Sequence, residues 1–124
     1  KRLAVAQLRN RSGAFVKPEA ASLRAAAEAA DWGARGFAAD TVDLDGPAVW
    51  PIAGPGFAFV PVEPLAERVE GVRGALKFFD WSLKNGGEIA ARGGNAPLPD
   101  AVAKAVREAW GSVRGADGAP LWKG

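Results

Sequence analysis

A chain of 124 residues, 48% apolar and 24% charged, has the size and balance of one ordinary globular domain or of a piece of a larger protein, and disorder is not its default. A net charge of +2 is too small to argue for nucleic acid or an anionic membrane as partner. The lack of His, Cys and Tyr removes Ser-His-Asp and Cys-His nucleophilic arrangements, the usual zinc ligand sets and any disulfide framework.

The chain holds no Met, even at position 1, so it is expected to be processed or cut from a longer polypeptide. Its uncharged runs are broken by Pro and Gly, so neither a signal peptide nor a membrane span is expected within these residues, which says nothing about export if a leader was already removed. Up to Lys17 the sequence carries Lys1, Arg2, Arg9, Arg11 and Lys17 with no acid. Without interleaved aromatics this reads as the solvated ends of a strand pair.

Taken in order, Leu3 to Leu8 predicts a short strand, Arg9 to Gly13 a turn, and Ala14-Phe15-Val16 a returning strand. Glu19 to Ala30 is Ala-rich and predicts a helix, with Leu23, Ala26, Ala27 and Ala30 forming a small-residue face that admits a close neighbour. Residues 33–48 lack periodicity and read as loop. Val49 to Ile52 is extended, because Pro51 pushes Trp50 out of the helical region. After Gly54-Pro55-Gly56, Phe57 to Val60 reads as a strand that Pro61 confines to an edge or a terminus.

Pro64 to Gly87 predicts the central helix of a core. Leu65, Val69, Val72, Leu76, Phe79 and Leu83 share one face, and Phe78 with Trp81 widens it to a second packing side. A single helical turn at Glu88 to Arg92 and a helix from Asp100 through Trp110 follow, the latter facing Val102, Val106, Ala109 and Trp110 inward. The end carries a turn at Ala116-Asp117-Gly118 and the apolar pair Leu121-Trp122. This α/β set is an awkward self-sufficient domain, since strands without partners leave backbone groups unpaired.

Little of this carries chemistry. Asp80, between Phe79 and Trp81, is the most tempting carboxylate, yet Lys77 and Lys84 at i−3 and i+4 make a surface ion pair the better reading. Asp40, Asp43 and Asp45-Gly46 hint at a calcium loop, but the twelfth position counted from Asp43 is Gly54 rather than Glu. Neither Gly54-Pro55-Gly56 nor Gly93-Gly94-Asn95 has the strand-before, helix-after setting of a phosphate cradle. Hydroxyls are limited to Ser12, Ser22, Ser82, Ser112 and Thr41. No catalytic residue and no metal ligand is assigned.

Several stretches resemble, in the same order, the C-terminal region of the periplasmic phosphate-binding proteins that serve phosphate ABC importers. They are Ala30-Asp31-Trp32, Ala48 to Ile52, Leu76 to Gly86, and Leu98-Pro99-Asp100 followed by Val106 to Trp110, with Asp117 to Leu121 at the end. The resemblance implies part of a two-lobed α/β periplasmic-binding-protein fold (type II-like), incomplete in this chain. Residues 1–49 would end one lobe, 50–62 would cross between lobes with Trp50, Pro51 and Ile52 as hinge, and 63–124 would complete the other.

It also implies a periplasmic or otherwise extracytoplasmic solute-binding protein rather than an enzyme. Inorganic phosphate would be its ligand, with no cofactor, and the N-terminal remainder of the same protein and an ABC permease its partners. No ligand motif of the family occurs here, so the phosphate ligands are expected upstream of Lys1. Ala53 to Gly56 also departs from the family, which continues there with hydroxyl residues. The alternatives are a phosphatase-like relative of the same fold and a structural or interaction subunit that has lost its ligand.

Overall fold

The computed structural model describes residues 4–33 and 36–124, and their secondary structure mixes helix and sheet. Strands β1 (Leu8–Arg9) and β2 (Phe15–Val16) pair antiparallel, Leu8 opposite Val16 and Arg9 opposite Phe15. The turn closes through Asn10 N–H donating to Ala14 O at 2.8 Å and Gly13 N–H to Asn10 O at 2.9 Å. Gly13, at φ +86°, supplies the left-handed residue that this turn needs.

The expected strand from Leu3 to Leu8 shrinks to Leu8–Arg9. Leu3, with Lys1 and Arg2, lies outside the described residues, and residues 4–7 join no ladder. The register explains why: the next pairs would bring Lys17 and Pro18 against Gln7 and Ala6, and Pro18 has no N–H to donate.

Helix α1 (Ala20–Ala29) begins where Glu19 N–H donates to Ser22 Oγ at 3.1 Å, and Ser22 Oγ in turn donates to Glu19 O and Lys17 O. Trp32 closes its far end, the indole Nε1–H donating to Ala27 O at 2.7 Å. The small-residue face receives the predicted close neighbour: Ala26 is fully enclosed in a core with Val49, Trp50 and Ala53, flanked by Leu8, Val16, Leu23 and Leu44. Trp50 N–H donates to Ser22 O at 3.1 Å, tying the extended Val49–Ile52 stretch to the start of α1.

Helix α2 (Val69–Asn85) follows a 3-10 turn at Ala66–Arg68, five residues later than Pro64 suggested. Leu65 is extended (φ −55°, ψ 149°) and exposed, while the Pro64 ring is buried in its stead. Of the predicted stripe, Leu76 is fully enclosed and Val69, Val72, Phe79 and Leu83 are half-buried. Phe78 and Trp81 are exposed, so the second packing side has no cover among the described residues. At the helix end Gly86 is required, because a Cβ there would sit 2.5 Å from Ser82 O.

Helix α3 (Gly87–Arg92) matches the predicted single turn, and α4 (Asp100–Ala109) runs into a 3-10 turn at Trp110–Ser112. In α4 the buried pair is Val102 and Ala103. Val106 and Trp110 are half-buried and Ala109 is exposed, so the inward face is rotated toward Ala103 relative to the expected one. The last segment doubles back through the predicted turn, with Gly118 at φ +74° and Leu121 N–H donating to Val113 O at 2.9 Å. Leu76, Val113 and Leu121 form a second core, over which Trp110 and Trp122 pack edge to face at 5.3 Å.

The predicted strand at Phe57 to Val60 does not form. Its residues join no ladder among the described residues, and Phe59 is 94% exposed. β-propensity describes fit to a pleated partner, and no strand among the described residues supplies one.

Two compact units result, Lys1–Gly56 with Glu88–Pro99 and Phe57–Gly87 with Asp100–Gly124. Each carries one of the two cores. Among the described residues no helix is long and apolar enough to cross a membrane.

Candidate functional site

Trp50, Pro51 and Ile52, the hinge candidates, are held in the first unit from several directions. Trp50 and Pro51 are buried and Ile52 is exposed. Ile52 bridges to Val42, and Asp43 N–H donates to Pro51 O at 2.8 Å. Thr41 Oγ1 donates to Ala53 O at 2.7 Å just beyond. The stretch is thus anchored up to Ala53, and the exposed Gly54 and Gly56 flank a half-buried Pro55.

The loop before the stretch is organised by one buried side chain that sequence reasoning did not single out. Asn10 Nδ2 reaches the carbonyls of Gly46 (2.9 Å), Pro47 (3.2 Å) and Val49 (3.1 Å), and its Oδ1 accepts from Ala14 N–H at 3.0 Å. Two amide hydrogens serve three acceptors, so one is shared. Only the turn propensity of Asn pointed here, since the partners are backbone groups 36 to 39 residues away. Gly46 adopts φ +141°, and a Cβ on it would fall 2.8 Å from Val49 Cγ2, so the clasp depends on glycine at that position.

The acidic loop acts locally. Asp40 Oδ1 accepts from Val42 N–H at 3.0 Å, and Asp45 Oδ1 accepts from Ser12 Oγ at 2.6 Å and from Gly46 N–H at 3.0 Å. Among the described residues no three His, Cys, Asp or Glu side chains gather where they could hold a metal. The Ser12 hydroxyl, and then the Gly46 amide, holds the Asp45 carboxyl below its ordinary value.

A depressed carboxyl pKa contributes stability that is present above the unfolded value of about 3.9 and is lost as pH falls through the folded one. Ser12→Ala should therefore bring the Asp45 titration back toward the ordinary carboxylate range and flatten the acid limb of the stability profile. Carboxyl-carbon NMR shifts followed against pH check it, and an unmoved midpoint counts against the assignment.

Asp80 keeps one of its two expected partners and exchanges the other. Lys84 Nζ lies 2.7 Å from Oδ2, as the i+4 spacing implied, but the second cation is Arg107 of α4, whose Nη1 is 3.7 Å from Oδ1. Lys77 is exposed and makes no ion pair with it. The Asp80 side chain is 16% exposed, and its Oδ1 is buried without a hydrogen bond. An acid between two cations has its charge compensated, so the geometry gives it a structural role in tying α2 to α4.

The hydroxyls are all engaged. Ser12 donates to Asp45, Ser22 to Lys17 O and Glu19 O, Thr41 to Ala53 O, Ser82 to Phe78 O and Ser112 to Ala109 O. Each has an acceptor inside the chain within hydrogen-bond distance, and the five are scattered along the chain rather than gathered at one place.

No family model matches the chain. Compared with curated proteins, it is 34% identical over 123 residues to the phosphate-binding protein PstS of Pasteurella multocida (strain Pm70). The chain is similar in sequence to that phosphate-binding protein. The match covers 98% of this chain and 35% of the relative, so the chain spans about a third of that protein's length. All the stretches on which the resemblance was read fall within a chain matched almost throughout. The PstS likeness thus includes the anchored Trp50–Ile52 stretch, the Asp80-bearing helix and α4 alike.

Proposed function

We propose that this chain is part of an extracytoplasmic solute-binding protein that captures inorganic phosphate for an ABC importer. The observation that carries this reading is the 34% identity to PstS along 98% of the chain. The five engaged hydroxyls support a division of labour, in which polypeptide beyond this chain supplies the phosphate ligands and this chain supplies lobe and crossover.

In that arrangement the fold is of the two-lobed periplasmic-binding type. Residues 1–49 end one lobe, 50–62 cross over, and 63–124, apart from the Glu88–Pro99 segment that packs with the first unit, complete the other. Trp50 and Pro51 are the rigid side of the hinge, since their backbone is tied to α1 and to the 41–43 loop. Flexion falls after Ala53, where Gly54 and Gly56 are exposed and the next residues lack a ladder. The protein binds and releases rather than turning over, its partners being phosphate and a membrane permease. A structural subunit without ligand is the second reading, favoured by the absence of hydroxyl residues from Ala53 to Gly56.

Isothermal titration of the protein extended to the relative's full length should give a phosphate-binding heat that arsenate competes away. The present chain alone should give none. No heat from the extended protein, or turnover of phosphate esters by it, would overturn the reading.

A further inference from the structure

The second unit carries a groove of about 610 Å³ between the end of α2, α4 and residues 111–124. Five cations line it, Lys84, Lys104, Arg107, Arg114 and Lys123, against two carboxylates, Asp80 and Glu108. The excess of three positive charges exceeds the +2 of the whole chain, so the remainder is slightly acidic and the field is concentrated here. Trp122 lies in the wall, fixed edge to face on Trp110.

The cations are unequally committed. Lys84 pairs with Asp80 at 2.7 Å, and Lys104 lies 3.9 Å from Glu108. Arg107 Nε donates to Ala103 O at 3.2 Å, which directs the guanidinium along α4 while its Nη1 stays 3.7 Å from Asp80 and outside hydrogen-bond range. Arg114 has only a 3.5 Å contact to Gly118 O, and Lys123 forms no ion pair. Arg107, Arg114 and Lys123 therefore hold donors that a ligand could use.

We propose that this groove docks an acidic segment of a partner protein, with an aliphatic side chain against Trp122 and carboxylates on Arg107, Arg114 and Lys123. Three observations choose this occupant. The volume is many times the roughly 30 Å³ that one water occupies, so a lone small oxyanion would leave the groove mostly filled with solvent. The aromatic wall calls for an apolar group beside the acids. Asp80 and Glu108 within the lining oppose the dense, evenly spaced charge of a nucleic-acid backbone but tolerate carboxylates interspersed with apolar residues. The proposal does not depend on the phosphate reading, and its test involves no phosphate uptake.

The test is fluorescence anisotropy of a labelled peptide of alternating glutamate and leucine, titrated with the protein at low salt. Binding should weaken as salt rises, and Arg114→Glu/Lys123→Glu should raise the Kd by about tenfold or more. Lys17→Glu/Arg68→Glu makes the same change in net charge outside the groove and should leave the Kd within about twofold, as remote exposed charges are screened. Circular dichroism of both variants confirms that they fold. No binding, equal effects of the two double variants, full displacement by equimolar inorganic phosphate, or tighter binding of a single-stranded oligonucleotide of the same charge would each overturn it.

Discussion

Leu76→Ala should cost about 3–4 kcal/mol of unfolding free energy. Leu76 is the one large side chain with no exposed surface among the described residues. Val113 and Leu121 cover it from segments 37 and 45 residues further along, with Val69 and Val72 beside it on the same helix. Removing its three outer carbons loses their transfer energy and leaves a cavity that α2 cannot close without drawing those distant segments inward. Against a typical domain stability of 5 to 15 kcal/mol the loss is a large fraction. Leu76→Met, which nearly conserves volume, should cost below about 1.5 kcal/mol. Urea unfolding of the two variants checks both values, and a Leu76→Ala cost under about 1 kcal/mol would mean that the second core is not closed around this residue.

Asn10→Ala should cost about 2–3 kcal/mol, because it strands one buried and two partly buried acceptors rather than a single bond. The carbonyls of Gly46, Pro47 and Val49 lose their donor together, and Ala14 N–H loses its acceptor. Asn10→Asp separates this account from a simple loss of volume. It keeps an acceptor for Ala14 but turns a carboxylate toward three carbonyl oxygens, which raises the pKa of the introduced acid above its unfolded value. The folded state then binds the proton more tightly than the unfolded one. Stability should therefore be poor at neutral pH and recover as pH falls through that raised value. Thermal unfolding measured across pH decides it, and an Asn10→Asp variant as stable as the parent at neutral pH would refute the clasp.

The sequence made local events legible and long-range ones not. The hairpin turn, the start of α1 at Glu19, the single turn of α3 and the closing turn at Gly118 are set by residues within one turn of each other, and each formed where the residues indicated. The start of α2 was misplaced because Leu65 keeps the helical spacing while its backbone is extended. Periodicity cannot separate those two cases when a 3-10 turn intervenes. Phe57 to Val60 has strand composition without a ladder, since a strand is a property of two segments. For the same reason Asp80 was assigned Lys77, a neighbour along the helix, and not Arg107 on another one. The Asn10 clasp was invisible because backbone carbonyls leave no signature in side-chain pattern. What could be read of the candidate site was a scarcity, five hydroxyls in all, and the structure accounts for each of them.

The interleaving of the two units bears on how the chain matures. The first takes its last segment from Glu88–Pro99 and the second from Asp100–Gly124, so each must wait for a segment made after part of the other. Until Val113 and Leu121 emerge, Leu76 lacks the cover those segments supply, and the apolar side of α2 is more open during synthesis.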